Sequence, residues 1–460
     1  MTFISVNKEL ICSNLSQNKL NKIINIYYGE KVKRDVLEEY EKGLYDYLKE
    51  EYPTRERLEQ ALGEIQHFND LSKDFSVMAI NFQISAAEVV DYMASESNIA
   101  RLDTLFFPMV YLYRQSIELL LKAIYFQEVK DQSERKLFIG RTRHDLSTLY
   151  QAVTSLPINP DQDKAGYTWL ADFFDNISLF DKVSDSFRYP YRFQMTNDGF
   201  DRRLKVKKVF EERKDIDLIK ISRKFSYAFA LLQRLIKELP HECNENPYAV
   251  DKLSEFIENP DCSSEFLEEG GHYYLRCVIG ENYRATDFNR YADAYNDCAE
   301  YLYKKRISDL MENHKSNISC YHPVCYLLRN AIELSLKKLC ARCVQYDEAI
   351  ELISTKKHNL HGLWNGSKDK HAEGPMNFIS IPHSDQIDFY VKLVNEVDET
   401  SSRFRYPTDN NLERYNPDPY RYHFGIHYYL LSTCFNRIRN TEYIIDEATD
   451  GREGYRELRM

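Results

Sequence analysis

Glycine and proline are scarce in this chain, 15 and 14 in 460 residues. Both punctuate turns and break helices, so their scarcity argues against a loop-rich β architecture and for long helices. No apolar run approaches the roughly 20 residues of a membrane-spanning helix. The opening residues, Met1 to Lys8, carry no apolar core of a secretory signal. The expectation is a cytoplasmic protein with no membrane contact. An excess of basic charge is also missing: 61 Lys and Arg stand against 72 Asp and Glu, a formal net charge of -11. That excludes a bulk-basic protein coating nucleic acid but leaves room for a local basic groove. A Gly-rich phosphate loop, His-Glu-x-x-His, Gly-x-Ser-x-Gly and zinc-knuckle spacings are all absent, which argues against P-loop, dinucleotide, zincin and α/β-hydrolase chemistry.

Ten cysteines are present, nine of them after residue 240, at irregular spacings that suit reduced thiols. Cys320, His322, Cys325, Cys340 and Cys343 form a metal-like cluster on paper. However, Cys325 and Cys340 fall on one expected helix about 22 Å apart, too far for one ion. No metal and no cofactor is expected. Apolar residues at 43 %, charged residues at 29 % and 35 tyrosines describe a globular chain with amphipathic rings to finish cores or meet partners. The length allows two or three domains.

The chain repeats itself. Pro108-Met-Val-Tyr-Leu-Tyr-Arg114-Gln-Ser-Ile-Glu118-Leu-Leu-Leu-Lys122 returns as Pro323-Val-Cys-Tyr-Leu-Leu-Arg329-Asn-Ala-Ile-Glu333-Leu-Ser-Leu-Lys337, 215 residues on. Arg143-His144-Asp145-Leu146 returns as Lys357-His358-Asn359-Leu360. Phe187-Arg188-Tyr189-Pro190 returns as Phe404-Arg405-Tyr406-Pro407. Three islands in one order imply two copies of one helical domain. The expected division is a helical N-terminal extension over 1–75, a first copy over 76–239, a joint around Leu239 to Pro247, a second copy over 248–446 and a tail over 447–460. Periodicity places helices near Asp35–Glu50, from Thr54 as N-cap to Gln66, near Ser85–Ala94, over Pro108–Gln127 and from Asp215 to Leu239. In the second copy it places them at Tyr291–Lys304, Pro323–Val344, Asp385–Val397 and Tyr422–Glu447, with one strand over Tyr273–Ile279.

Arg114, Glu118 and Lys122 are spaced i, i+4, i+8, as are Arg329, Glu333 and Lys337, so each triplet shares a helix face. Two structural readings compete with a ligand-binding one: a solvated stripe of weak ion pairs, or a buried ionic network. His144 and His358 stand at helix starts, where the dipole disfavours the charged ring. Each is a general-base or phosphate-contact candidate, or a ring bonded to backbone. Arg188 and Arg405 are presented from stiff aromatic corners suited to carboxylate or phosphate. The structural alternative is that each clamps the Glu of its own copy. Arg421 and His427 form a further Arg–His spacing at the start of the closing helix, without a counterpart in the first copy.

The Ile-Glu-Leu-x-Leu-Lys helix, the His-Asx-Leu island and the Phe-Arg-Tyr-Pro corner together resemble the HEPN superfamily of prokaryotic helical-bundle proteins, over roughly 80–239 and 290–446. The resemblance implies an all-α fold of two tandem up-and-down bundles arranged as an internal pseudo-dimer. It implies a protein that acts on or senses RNA in bacterial defence or a toxin–antitoxin pair, as a metal-independent endoribonuclease if it is an enzyme. It also implies an RNA or protein partner, or a homodimer. Active members carry an Arg, four to six residues, then a His near a helix start. Arg421 and His427 match that spacing here, with Tyr422 where the family has a polar residue. The alternative, from a different class, is a non-catalytic scaffold binding a protein or small ligand between its copies.

Overall fold

A computed structural model describes residues 31–65, 67–95, 99–157, 164–197, 202–237, 263–280, 288–312, 319–371, 374, 377, 380–416 and 420–450. The expected joint, around residues 239–247, and the end of the tail lie outside them. The described chain is predominantly helical, with fourteen α-helices and three two-stranded antiparallel sheets. None of the helices is long and apolar enough to cross a membrane.

The extension supplies α1 (Lys31–Glu51), α2 (Arg55–Gln60) and β1 (Leu62–Ile65). Thr54 caps α2, its side chain accepting from the Arg57 N–H at 3.2 Å. That helix stops six residues before Gln66, because the chain turns into a strand paired with β6 (Tyr420–His423). Gly63 permits the pairing, since a Cβ there would stand 2.2 Å from the Tyr422 ring. Two runs of six helices follow in the same order. The first is α3 (Leu71–Ser95), α4 (Ile99–Glu128), α5 (Gln132–Thr142), α6 (Leu146–Thr154), α7 (Lys164–Asp181) and α8 (Leu218–Gln233). The second is α9 (Phe288–Met311), α10 (Tyr321–Cys343), α11 (Tyr346–Lys356), α12 (Leu360–Lys370), α13 (Ser384–Val397) and α14 (Phe424–Asp450).

The pairings match. In each run the first two helices pack on each other, the second meets the fourth and sixth, and the fourth packs on the fifth. The repeat is written into the backbone as well. Arg143 and Lys357, directly before the two histidines, have φ of 49° and 48°, and Ser184 and Ser401, just before the two corners, have φ of 64° and 60°. Such conformations are uncommon for residues other than glycine, so finding them at equivalent positions ties the halves together.

The signature helices α4 and α10 sit at the centre. Almost every residue of α10 is buried, as expected of a helix surrounded by others. Pro323 falls in its first turn, where a missing N–H costs nothing. Helix α4 starts nine residues before Pro108, because Leu102, Leu105, Phe106 and Phe107 are all fully buried. Their burial outweighs the backbone bond lost to the proline.

Other departures are local. Helix α8 starts at Leu218 rather than Asp215, because Lys214–Asp217 forms β4, paired with β5 (Arg276–Ile279). Asp217 then caps the helix, accepting from the N–H groups of Ile219 and Lys220. A hairpin of β2 (Tyr191–Asn197) and β3 (Arg202–Lys208) follows the first corner and has no counterpart after the second among the described residues. The extension packs on the second run: Tyr40 meets Phe389, Tyr390 and Tyr429. The hydroxyls of Tyr47 and Tyr52 converge on that of Tyr303 at 2.6 and 2.7 Å. The seven described cysteines are free and buried, and no group of three or more metal-ligating side chains occurs among the described residues.

Candidate functional site

Helical spacing lines up Arg114, Glu118 and Lys122 on α4, and their side chains are sealed from solvent. Glu118 is the hub. It accepts from Arg114 Nη1, from Lys122 Nζ and from the Tyr406 hydroxyl, each at 2.7 Å, and it meets His144 Nδ1 at 2.9 Å. On α10, Glu333 accepts from Arg329 Nη1 at 3.0 Å, Lys337 Nζ at 2.7 Å and the Tyr189 hydroxyl at 2.8 Å, and meets His358 Nδ1 at 3.1 Å. Of the two structural readings, the stripe is therefore a buried network and not a solvated one.

The corners cross over. Tyr189 follows α7 of the first run yet serves Glu333 of the second, and Tyr406 does the reverse. The ammonium groups of Lys337 and Lys122 lie 3.9 and 4.5 Å above the rings of Tyr189 and Tyr406. The expected clamp of each corner arginine on the glutamate of its own copy does not form. Arg188 and Arg405 instead stand at the meeting of the halves, around the stacked rings of Tyr111 and Tyr326, whose centroids are 4.5 Å apart. The pairing of His144 with Arg188 and of His358 with Arg405 is corrected for the same reason: His144 feels the charge of Arg405, and His358 that of Arg188. Gln115 on α4 fixes the second corner by donating to the Arg405 carbonyl at 2.9 Å.

Each histidine is placed by a turn. Arg143 or Lys357 ends the preceding helix, and Asp145 or Asn359 stands at the N-cap of the next, where the Asn359 side chain accepts from the Gly362 N–H at 2.6 Å and Asp145 makes no side-chain capping bond. The histidine carbonyls accept from Arg114 Nη2 and Arg329 Nη2. The rings keep 35 % and 33 % side-chain exposure, so they are the accessible members of two otherwise buried networks. Burial would raise the Glu118 carboxyl, but Lys122, His144 and Arg114 override it and hold the group well below the usual carboxylate range; Glu333 is held low in the same way. Burial lowers both histidines, against the pull of their glutamates. A carboxylate at Nδ1 fixes the tautomer with its proton there and leaves Nε2 as the basic nitrogen. In His144 that nitrogen has no partner among the described residues.

A cavity of about 450 Å³ opens beside His144. It is lined by Lys122, Lys136, Arg143, Arg405 and Tyr406 among others, so it draws on both halves and is rich in cations. Lys122 is buried in its wall, and burial lowers its pKa. Asp409 is the carboxylate that lines it. The chemistry available is anion binding next to a neutral imidazole backed by a carboxylate.

Two parts of the network escaped sequence reasoning. Asp181 and Asp398 hold the corner loops, their Oδ1 atoms accepting from the N–H groups of Ser186 and Ser402 at 2.9 Å each. Asp181 also forms an ion pair with Arg114 Nε at 2.8 Å. The corner tyrosines carry the crossing. Both were legible in the longer island Asp-x-x-Ser-x-x-Phe-Arg-Tyr-Pro, which stands at 181–190 and again at 398–407.

Arg421 and His427 do not converge. Arg421 on β6 is exposed and pairs with Glu64 at 2.9 Å, whereas His427, in the first turn of α14, is buried against Tyr321. Burial drops the His427 pKa to about 3. Comparison with family models, with curated proteins and with solved structures finds no match for this chain.

Proposed function

We propose that this chain acts on RNA, holding a phosphodiester in the cavity between its halves, as a HEPN-like protein of two tandem bundles arranged as an internal pseudo-dimer. The observation that carries this reading is the His144–Glu118 dyad opening into a cavity lined by Lys122, Lys136, Arg143 and Arg405. Four cations in one cavity suit a polyanionic ligand in a chain whose overall charge is acidic.

The dyad supports strand cleavage without a metal. Nε2 of His144 takes the proton of a ribose 2′-hydroxyl, whose oxygen attacks the adjacent phosphorus. Arg405, Lys136 and Arg143 stabilise the charge that develops on the phosphorane oxygens. The bond to the 5′ oxygen breaks, leaving a 2′,3′-cyclic phosphate, and that oxygen takes a proton from Lys122, whose lowered pKa eases the transfer. His358, Glu333, Lys337 and Arg188 form the related second centre, while Arg421 and His427 have no role in this scheme. Free thiols at every described cysteine suit a reducing cytoplasm. An antiphage or toxin–antitoxin setting, with a protein partner or a second copy of the chain, remains part of the proposal through the family resemblance.

A specific observation favours a second reading. The Arg114, Glu118, Arg329 and Glu333 side chains have no exposure at all and satisfy one another, which is how struts of a non-catalytic scaffold behave. Labelled RNA incubated with the purified chain in EDTA separates the readings. Cleavage by the wild type that is lost in His144→Ala, with folding intact, supports the dyad. Binding without cleavage makes the protein an RNA sensor. Neither binding nor cleavage transfers the weight to the scaffold.

A further inference from the structure

A second cavity, of about 210 Å³, lies where the extension, the first run and the second run meet. Its walls include Phe68, Val77 and Met78, with Asn81 and His322 among the polar groups. Two features set it apart from the first. Its charged lining is acidic, from Glu64 and Asp74. Its polar groups also have unmet hydrogen-bonding capacity.

His322 is 92 % buried, and neither ring nitrogen has a hydrogen-bond partner among the described residues. Asn81 is 93 % buried, and its Oδ1 accepts from the Ser319 N–H at 3.2 Å. That bond fixes the amide orientation and leaves the Nδ2 group as an unused donor on the cavity wall. Both groups line the cavity with hydrogen-bonding capacity to spare, and two in one cavity mark a place for a ligand that pairs with both.

Burial holds the His322 ring neutral, with its pKa lowered to about 3, so it offers one donor and one acceptor. The Asp74 carboxylate is already engaged by the Phe68 N–H at 2.8 Å, by Arg414 and by His67, so it does not invite a metal. The ligand that fits is flat, uncharged and heterocyclic, with an acceptor for Asn81 and a donor or acceptor for His322. The volume is about seven times the ~30 Å³ share of one water, enough for one such ring system and below the usual range of larger organic ligands.

The two cavities share a wall. Tyr406, Thr408 and Tyr415 line the cationic one, while their neighbours Pro407 and Asn416 line the acidic one. We propose that the second cavity receives an unstacked nucleobase of the strand whose phosphate lies beside His144, pairing it with Asn81 and His322 between apolar walls. Reading bases on their edges after unstacking is how proteins recognise single-stranded RNA. This assignment rests on the RNA reading for the identity of the strand, but the base site can be probed alone.

The test is calorimetric titration of the full chain with adenosine, guanosine, cytidine and uridine, which lack phosphate. At least one is expected to bind, with affinity falling tenfold or more in His322→Phe. Val77→Phe narrows the same cavity and leaves both polar groups in place, so it decides the matter if His322→Phe fails to fold. Absence of binding by every nucleoside, or affinity unchanged in a folded Val77→Phe, overturns the base site. Nucleoside binding without RNA binding keeps the base site and sinks the RNA reading. RNA binding without nucleoside binding does the opposite.

Discussion

Removing the Tyr406 hydroxyl is expected to weaken the protein by an amount that depends on Glu118, a partner 288 positions away. In Tyr406→Phe the ring stays under Lys122, and only the hydroxyl at 2.7 Å from Oε1 is lost. A hydrogen bond to a charged acceptor contributes about 1.5–3 kcal/mol, and one between neutral partners about 0.5–1.5 kcal/mol. Glu118→Gln neutralises the acceptor and leaves Lys122 buried without its counter-ion, while Arg114 keeps Asp181 at 2.8 Å, a loss of about 3–5 kcal/mol. In that background Tyr406→Phe costs only the neutral amount, so the two changes couple by about 1 kcal/mol. Tyr189→Phe and Glu118→Gln, by contrast, are expected to add within about 0.5 kcal/mol, since Tyr189 donates to Glu333 at 2.8 Å. Urea unfolding of the single and double variants reads both cycles. Coupling of Glu118 with Tyr189, or none with Tyr406, would refute the crossed network.

Acid is expected to destabilise the fold through three buried histidines. His322 and His427 are lowered to about 3 and His423 to about 4, all by burial. Below the unfolded value near 6.5 the unfolded chain takes up protons that the folded one refuses, so stability falls with pH down to those folded values, by up to about 4 kcal/mol per pH unit for three protons; a flat stability profile from pH 6 to 4.5 would contradict this. Burial raises Glu442 to about 8, so its contribution is full below the unfolded carboxylate pKa and is lost as pH rises through 8. Glu442→Gln should therefore gain stability relative to the wild type between pH 5 and 8, in urea melts at each pH. Lys136 is an exposed member of the cationic cavity; Lys136→Ala is expected to leave the melting temperature unchanged and to reduce the salt slope of RNA binding by about one. Gly280 has φ of +86°, and a Cβ there would stand 1.8 Å from the Glu212 carbonyl oxygen, so Gly280→Ala is expected to lower the melting temperature by displacing the loop against β4.

Much of the site was written in the chain. The i, i+4, i+8 spacing put Arg114, Glu118 and Lys122 on one face, and their return at Arg329, Glu333 and Lys337 marked that face as structural or functional rather than incidental. The turn before each histidine and the loop before each corner repeat down to the sign of φ. Less legible were the parts made by pairing at long range. Leu62–Ile65 has no strand signal of its own; it is a strand because Tyr420–His423 lies beside it. Asp215–Asp217 read as the start of a helix, but Lys214–Asp217 is a strand for the same reason, opposite Arg276–Ile279. His322, grouped on paper with four cysteines whose helical separation already argued against one metal ion, is a neutral ring at a cavity wall.

The sequence by itself determined that three islands recur in one order, that helices dominate, and which polar residues recur with the islands, because helical periodicity and repetition are local properties of the chain. Only the tertiary structure decided whose corner serves whose glutamate. Tyr189 and Tyr406 occupy equivalent positions, so nothing in the repeat distinguishes pairing within a copy from pairing across copies. The choice is made where Tyr111 stacks on Tyr326 and the two halves bury their corners in each other. That contact also builds the cavity beside His144 from both halves, which no stretch of sequence contains.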